Sequence, residues 1–292
     1  MIANQGTTAT HGTTRRWSHG RVIDGVVVVA FTLIALIFII PFVILVVTSV
    51  RSDADFLSRG VFSIPQSIQW SNFTTAWQVG DFGTTYKNSA IITIIKVPLG
   101  LLVSALAAYP LAKISFRLNG AIFMFFIAGL AVPIHVALLP LFVLERRMGI
   151  LGTLWALLPP YIAFGIPFQV FVLRGFMKGI PNELIEAARV DGANDVVIFA
   201  RVMIPLITPA LATLFIIDAV ATWNEFLVAL VMLPSADVHT LPLGLLNFFG
   251  QFSGSYTQLS AGLVIGVIPL LAVYVFLQRY LVTGLVSGAV KG

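Results

Sequence analysis

The sequence predicts an all-α integral membrane protein: six transmembrane helices, with a helical elbow on the cytoplasmic side between the fourth and fifth. Two observations predict it. Hydrophobic residues make up 58% of the 292 positions and charged residues only 10%. Soluble domains carry about 25% charged residues, because a water-facing surface needs them. The apolar residues also gather in six stretches, near 22–50, 88–112, 120–144, 151–173, 203–233 and 259–286. Each is long enough to compare with the roughly 20 residues that cross a hydrocarbon core as a helix. The mean hydropathy of +0.99 agrees.

Taken in order, residues 1–20 read as a polar cytoplasmic tail and 21–292 as the membrane domain. The tail carries Arg15 and Arg16, as the start of a signal peptide would. The run that follows is far longer than the roughly 7–15 residues of a signal core, and no A-x-A site closes it, so it reads as an uncleaved first span. Each apolar run should be helical, since lipid offers no partner to backbone N–H and C=O groups. Runs such as Val26–Val50 lack the alternation of a membrane barrel strand. Prolines at 41, 98, 133, 140, 159, 160, 167, 209 and 269 should bend these helices.

Lysine and arginine set the orientation. With both termini cytoplasmic, the inner segments hold 11 of them and the outer segments 5, with Lys96 left inside a span; this is the positive-inside pattern. The net charge of +5 is therefore spread over short loops and calls for no nucleic-acid partner. The absence of cysteine excludes disulfides and thiolate metal sites. Two outer loops are long. Residues 51–87 are rich in aromatics, and 234–258 carry no lysine or arginine. Their aromatic residues suit either the interfacial belt or docking of an external partner.

The loop at about 176–205 carries the most information. Pro181 suits a first helical turn, and Glu183 and Glu186 oppose the positive end of that helix. Leu184, Ile185 and Ala188 share a face by their spacing. Gly192 can adopt the left-handed conformation that ends a helix, and a second short helix should run from about Asp195 to Pro205. An amphipathic helix lying on headgroups would show lysine and arginine on its polar face. Here Glu183, Glu186, Asp191 and Asp195 dominate it, which favours docking to a protein.

Glu186-Ala187-Ala188, Gly192 and Val202-Met203-Ile204-Pro205 resemble the E-A-A-x(3)-G-x(9)-I-x-L-P signature of bacterial ABC importer permeases. Val202 and Ile204 depart conservatively from it. Trp223-Asn224-Glu225-Phe226, Thr240–Gly244 and the tail from Gln278 narrow the resemblance to the MalG-like permeases of carbohydrate importers. The resemblance implies the type I importer permease fold, in which the elbow is a coupling helix seated in a separate ATPase. Glu183, Glu186, Ala187, Ala188, Asp191 and Gly192 would be its coupling residues. It further implies a homologous second permease, two ATP-binding subunits that hold ATP and Mg²⁺, and an extracytoplasmic solute-binding protein. No G-x-x-x-x-G-K-[ST] loop occurs in this chain, so it is expected to bind no cofactor and to hydrolyse no ATP itself.

Polar groups inside spans are costly and tend to face the bundle interior. Lys96, His135, Asp218, Asn224 and Glu225 are of this kind. Gln169, Asn224, Glu225 and Asn247 are candidates to line a translocation path, because saccharide sites pair amides and carboxylates with aromatic faces. Asn224 and Glu225 suit helix-to-helix hydrogen bonding equally well. A self-sufficient secondary transporter is the alternative; it would need an ion relay across facing helices, for which this set is sparse. A membrane enzyme would need clustered reactive groups, and the four histidines, at 11, 19, 135 and 239, lie far apart.

Overall fold

The computed structural model describes residues 17–249 and 255–289. The polar tail up to residue 16, the glycine-bounded stretch Gly250–Gly254 and Lys291 lie outside the described residues. Every regular element within them is helical.

The first span, α1 (Trp17–Ser49), begins inside the stretch expected as tail. Two short helices follow on the far side, α2 (Asp53–Arg59) and α3 (Ser71–Val79), and lead into α4 (Phe82–Lys113). The third apolar stretch is not one straight helix. It divides into α5 (Asn119–Gly129) and a segment from Ile134 whose α-helical part is α6 (Leu138–Met148), bent by 84° to each other. Pro133 lies in the break with extended backbone. It offers no N–H and disfavours helical geometry in the residue before it, so the predicted bend becomes a rupture.

α7 (Leu158–Lys178) starts on Pro159 and Pro160, whose missing N–H groups cost nothing in a first turn. The elbow comprises α8 (Glu183–Val190) and α9 (Asp195–Ile198), and a π-helical turn at Phe199–Met203 joins it to α10 (Ile204–Trp223). No loop separates the elbow from the span. Pro205 removes one helical hydrogen bond and crowds the preceding turn, and the π turn just ahead of it absorbs that misfit.

The predicted run 203–233 is likewise two elements, because α10 stops at Trp223 and α11 (Leu227–Met232) starts anew. Glu225 explains the restart. Its carboxylate accepts from Val228 N and Ala229 N at 2.8 and 3.1 Å, satisfying first-turn N–H groups that would otherwise be orphaned. A short turn, α12 (Leu241–Gly244), precedes the last span, α13 (Tyr256–Ala289). Among the described residues, five helices are thus long and apolar enough to cross a membrane, and six spans result if the bent pair counts as one.

Packing concentrates on α4, α7 and α10. Lipid is as apolar as leucine, so small residues and polar contacts select helix neighbours in a membrane. The shared interface follows that rule: Ala105, Ala108, Ala210 and Ala219 are buried there beside Leu101, Leu173 and Leu214. At the end away from the elbow, a second core forms around Leu157, Tyr161, Val228 and Met232. An aromatic group of Phe82, Trp223 and Phe248 joins α3, α4 and α13. Gly244 permits a close approach in that region, where a Cβ would lie 2.6 Å from the Gly80 carbonyl oxygen.

Candidate functional site

The elbow is built from local signals. Asn182 O accepts from Ile185 N and Glu186 N and opens α8, so Pro181 stands just before the cap rather than in the first turn. At the far end Gly192 takes φ +84°. Gly192 N then bonds to Arg189 O and Ala193 N to Ala188 O, the paired bonds that close a helix through a left-handed residue. Asn194 caps α9 by accepting from Val197 N at 2.9 Å. That cap was missed in the sequence, although an asparagine just before the second helix is an ordinary cap signal.

Side chains fasten this elbow to the bundle. Lys113, at the end of α4, donates to Ile180 O and to Asn182 Oδ1. Tyr109 donates to Asp195 Oδ1 at 3.4 Å, and Arg189 donates to the same atom at 2.9 Å. Ile185 is buried in the core with Leu173, Met177, Ile198 and Met203, and Ala188 packs against that core. The opposite face carries Glu183, Glu186, Ala187, Asp191 and Gly192, all exposed. Two sequence expectations change here. Leu184 does not share the buried face and is 45% exposed, while Ala188 turns towards its own bundle. Val190, at 88% exposed, joins the outward surface instead.

A second group of polar residues lies in the middle of the spans. Lys96 on α4 pairs with Asp218 on α10, and Gln169 on α7 donates to the other Asp218 oxygen at 3.1 Å. Ser104 donates to Gln169 Oε1 at 2.7 Å. Four residues from three helices therefore satisfy one another, as buried polar groups must. Gly165 makes room for them, since a Cβ there would stand 3.4 Å from Gln169 Nε2 and 3.6 Å from Lys96 Nζ. Tyr161 donates to Glu225 Oε2 at 2.5 Å, so Glu225 serves both the α11 cap and α7.

These groups border a cavity of about 170 Å³, lined by Lys96, Tyr161, Phe164, Asp218, Thr222 and Glu225 among others. At about 30 Å³ per liquid water, it has room for several water molecules or a polar group of similar size. Phe164 also forms a wall of an adjoining apolar groove of about 560 Å³, with Phe125, Phe126 and Pro167.

The predicted path residues thus separate. Gln169 braces the ion pair from behind, and Glu225 borders the cavity. Asn224 is exposed and folds back onto Val220 O at 2.9 Å. Asn247 lies elsewhere, tying the 245–248 turn to Val79 O at 3.1 Å. His135 is exposed in the turn before α6. The Lys96–Asp218 pairing was open in the sequence, because the partners stand 122 positions apart. Glu145 was missed altogether. It is buried at 1% exposure, and neither carboxylate oxygen meets a partner among the described residues.

Residues 96–286 match the family of binding-protein-dependent transport system inner membrane components. This chain belongs to that family. The importer permease is 37% identical over 253 residues to a putative ABC transporter permease of Caldicellulosiruptor, covering 87% of this chain and 92% of the relative. It is 34% identical to an arabinooligosaccharides transport permease of Halalkalibacterium halodurans, covering 93% and 98%. A melibiose, raffinose and stachyose import permease of Bacillus subtilis is 35% identical, covering 87% and 91%. Among solved structures, a chain of a bacterial ABC transporter that imports the acidic polysaccharide alginate superposes with a TM-score of 0.78 at 26% identity, covering 92% of this permease and all of that chain. The permease is accordingly a multi-pass inner-membrane component of an ABC transporter. Both the elbow and the cavity fall inside the matched region.

Proposed function

We propose that this permease conducts a sugar or oligosaccharide inward, driven by separate ATPase subunits that dock on the elbow. The observation that carries the reading is the two-sided elbow. One face is locked into the core shared by α4, α7 and α10, and the other presents Glu183, Glu186 and Ala187 to solvent. A structure gripped on one side and open on the other can pass a push from its partner to the spans. Glu186 supplies the polar contact in the ATPase groove, Ala187 a slim surface for close approach, and Gly192 the turn. Asp191 rims that surface, and Ala188 supports it from beneath. ATP and Mg²⁺ belong to the partner subunits.

The remaining assignments follow the same reading. Both termini and the elbow are cytoplasmic, in keeping with the lysine and arginine distribution. A homologous second permease completes the channel. An extracytoplasmic binding protein delivers cargo to the side that holds α11 and α12. The carbohydrate assignment draws on the relatives' substrates and on the cavity, where Asp218, Thr222 and Glu225 offer partners for hydroxyl groups beside the Phe164 ring. Glu225 touches this route directly and Gln169 shapes it by holding Asp218, whereas Asn224, folded onto Val220 O, and Asn247, tied to Val79 O, do not line it.

The test is Glu186→Lys in the assembled transporter. The variant should insert normally but lose both substrate uptake and stimulation of the ATPase. Unchanged uptake and stimulation would contradict the assignment.

A further inference from the structure

α7 and α10 flank the elbow along the chain, but both connections contain joints. Gly179–Pro181 separates α7 from α8, and the π turn at Phe199–Met203 separates α9 from α10. Such features are where helices bend; α4 also carries Pro98 and Pro110, but it runs through both as one unbroken helix. α4 is far from the elbow in sequence, yet it grips both of the elbow's ends: Lys113 holds Ile180 and Asn182 at the start, and Tyr109 holds Asp195 at the second helix.

The same helix is fastened twice more. Near its middle, Lys96 and Ser104 bind Asp218 and Gln169. At its other end, Asn88 Nδ2 donates to Asp237 O and His239 O, both at 3.0 Å, and Ser89 accepts from Leu241 N at 2.8 Å. Asn88, Ser89, Lys96 and Ser104 are all buried, so these bonds are shielded from competing water.

We infer that α4 is the brace that makes the elbow and the 236–241 segment move together, with Lys113 and Asn88 as its positioning residues at the two ends. The inference rests on the reading of the elbow as the ATPase dock. It adds which helix carries the displacement and where it arrives. Coupling of this kind is reciprocal, so a protein docking on the 236–241 segment should also bias the elbow. A chain of contacts is evidence of a route only when coupling is measured along it.

The absence of native cysteine makes the measurement direct. The transporter is assembled with its partner permease and ATPase subunits in lipid nanodiscs, with Ser235→Cys as this chain's only cysteine. A nitroxide at that exposed position reports the change between nucleotide-free and ATP-trapped states. Lys113→Met and Asn88→Ala should each lose most of that change, and Lys113→Arg should keep it. A parallel set carrying Ala187→Cys in place of Ser235→Cys should still capture the ATPase by cross-linking in every variant.

The two ends control for each other. Lys113→Met cannot loosen the distant 235–241 segment, and Asn88→Ala cannot misfold the elbow. An undiminished change in either variant, or no nucleotide-dependent change at position 235 in the parent, would overturn the brace. Failure of the parent to capture the ATPase would instead overturn the reading of the elbow.

Discussion

α1 and α4 are both continuous helices, of 33 and 32 residues, yet they relate to the molecule in opposite ways. Residues 24–43 of α1 are exposed without exception, and the helix becomes buried only at Thr48 and Ser49. On α4, 14 residues are buried, and Asn88, Ser89, Lys96 and Ser104 are among them. α1 is the more apolar of the two. The difference teaches that greasiness puts a helix into the membrane but does not choose its neighbours. Neighbours are chosen by small residues and by polar side chains that can find partners only in one arrangement.

The largest expected effect sharpens that contrast on α4. Lys96→Met leaves the largely buried Asp218 carboxylate, at the cavity wall, with only Gln169 for company. Removing one member of a buried pair costs about 3–5 kcal/mol, to be read as a marked drop in the thermal unfolding midpoint in detergent. Adding Asp218→Leu should restore much of the loss, since an apolar pair strands no charge. If the double variant is as unstable as the single one, the pair is not the source of the stability.

Gln169→Leu should cost less, about 1–3 kcal/mol, because Ser104 and Asp218 each lose one neutral donor or acceptor. Gly192→Ala should cost about 1–2 kcal/mol through its left-handed backbone alone, since a Cβ there meets nothing within 4 Å. That loss belongs to the elbow, so it should appear as weaker ATPase stimulation rather than as loss of insertion.

A smaller effect comes where α1 ends. Fully buried Arg51 donates to Asp55, to the Gly60 carbonyl and to Ser63, supplying the anchoring that α1 lacks. Its guanidinium holds the Asp55 carboxyl below the ordinary value of 3.8. A depressed carboxylate stabilises the folded state fully above that ordinary value and loses its contribution as pH falls through the depressed one. Asp55→Asn should therefore flatten the acid limb of a stability-against-pH curve and leave its neutral slope unaltered. The smallest effect is expected on α1 itself. Phe38 is 69% exposed, and Phe38→Ala should change the stability of the isolated chain by no more than about 0.5 kcal/mol. A large loss there would break the comparison.

The sequence made local features legible and left distant ones unread. The glycine turn at 192 and the carboxylates of α8 announce themselves within a dozen residues, and so does a run of apolar residues long enough to span. Two runs misled, for different reasons. Pro133 turned an expected bend into a break, and Glu225 capped a new helix inside what composition presented as one span. Ala188 faces the bundle and Leu184 does not, because spacing alone cannot tell which flank of a short helix its host will cover. The Lys96, Gln169 and Asp218 cluster was beyond reach, since three separate helices meet there and no local pattern encodes the meeting.

The central claim is that the open face of α8 is the dock for a nucleotide-hydrolysing subunit. Its most direct test is a single cysteine at Ala187, cross-linked in native membranes. The account predicts that the captured protein is the transporter's ATP-binding subunit and that ATP trapping alters the yield. Capture that never includes an ATP-hydrolysing protein would contradict it.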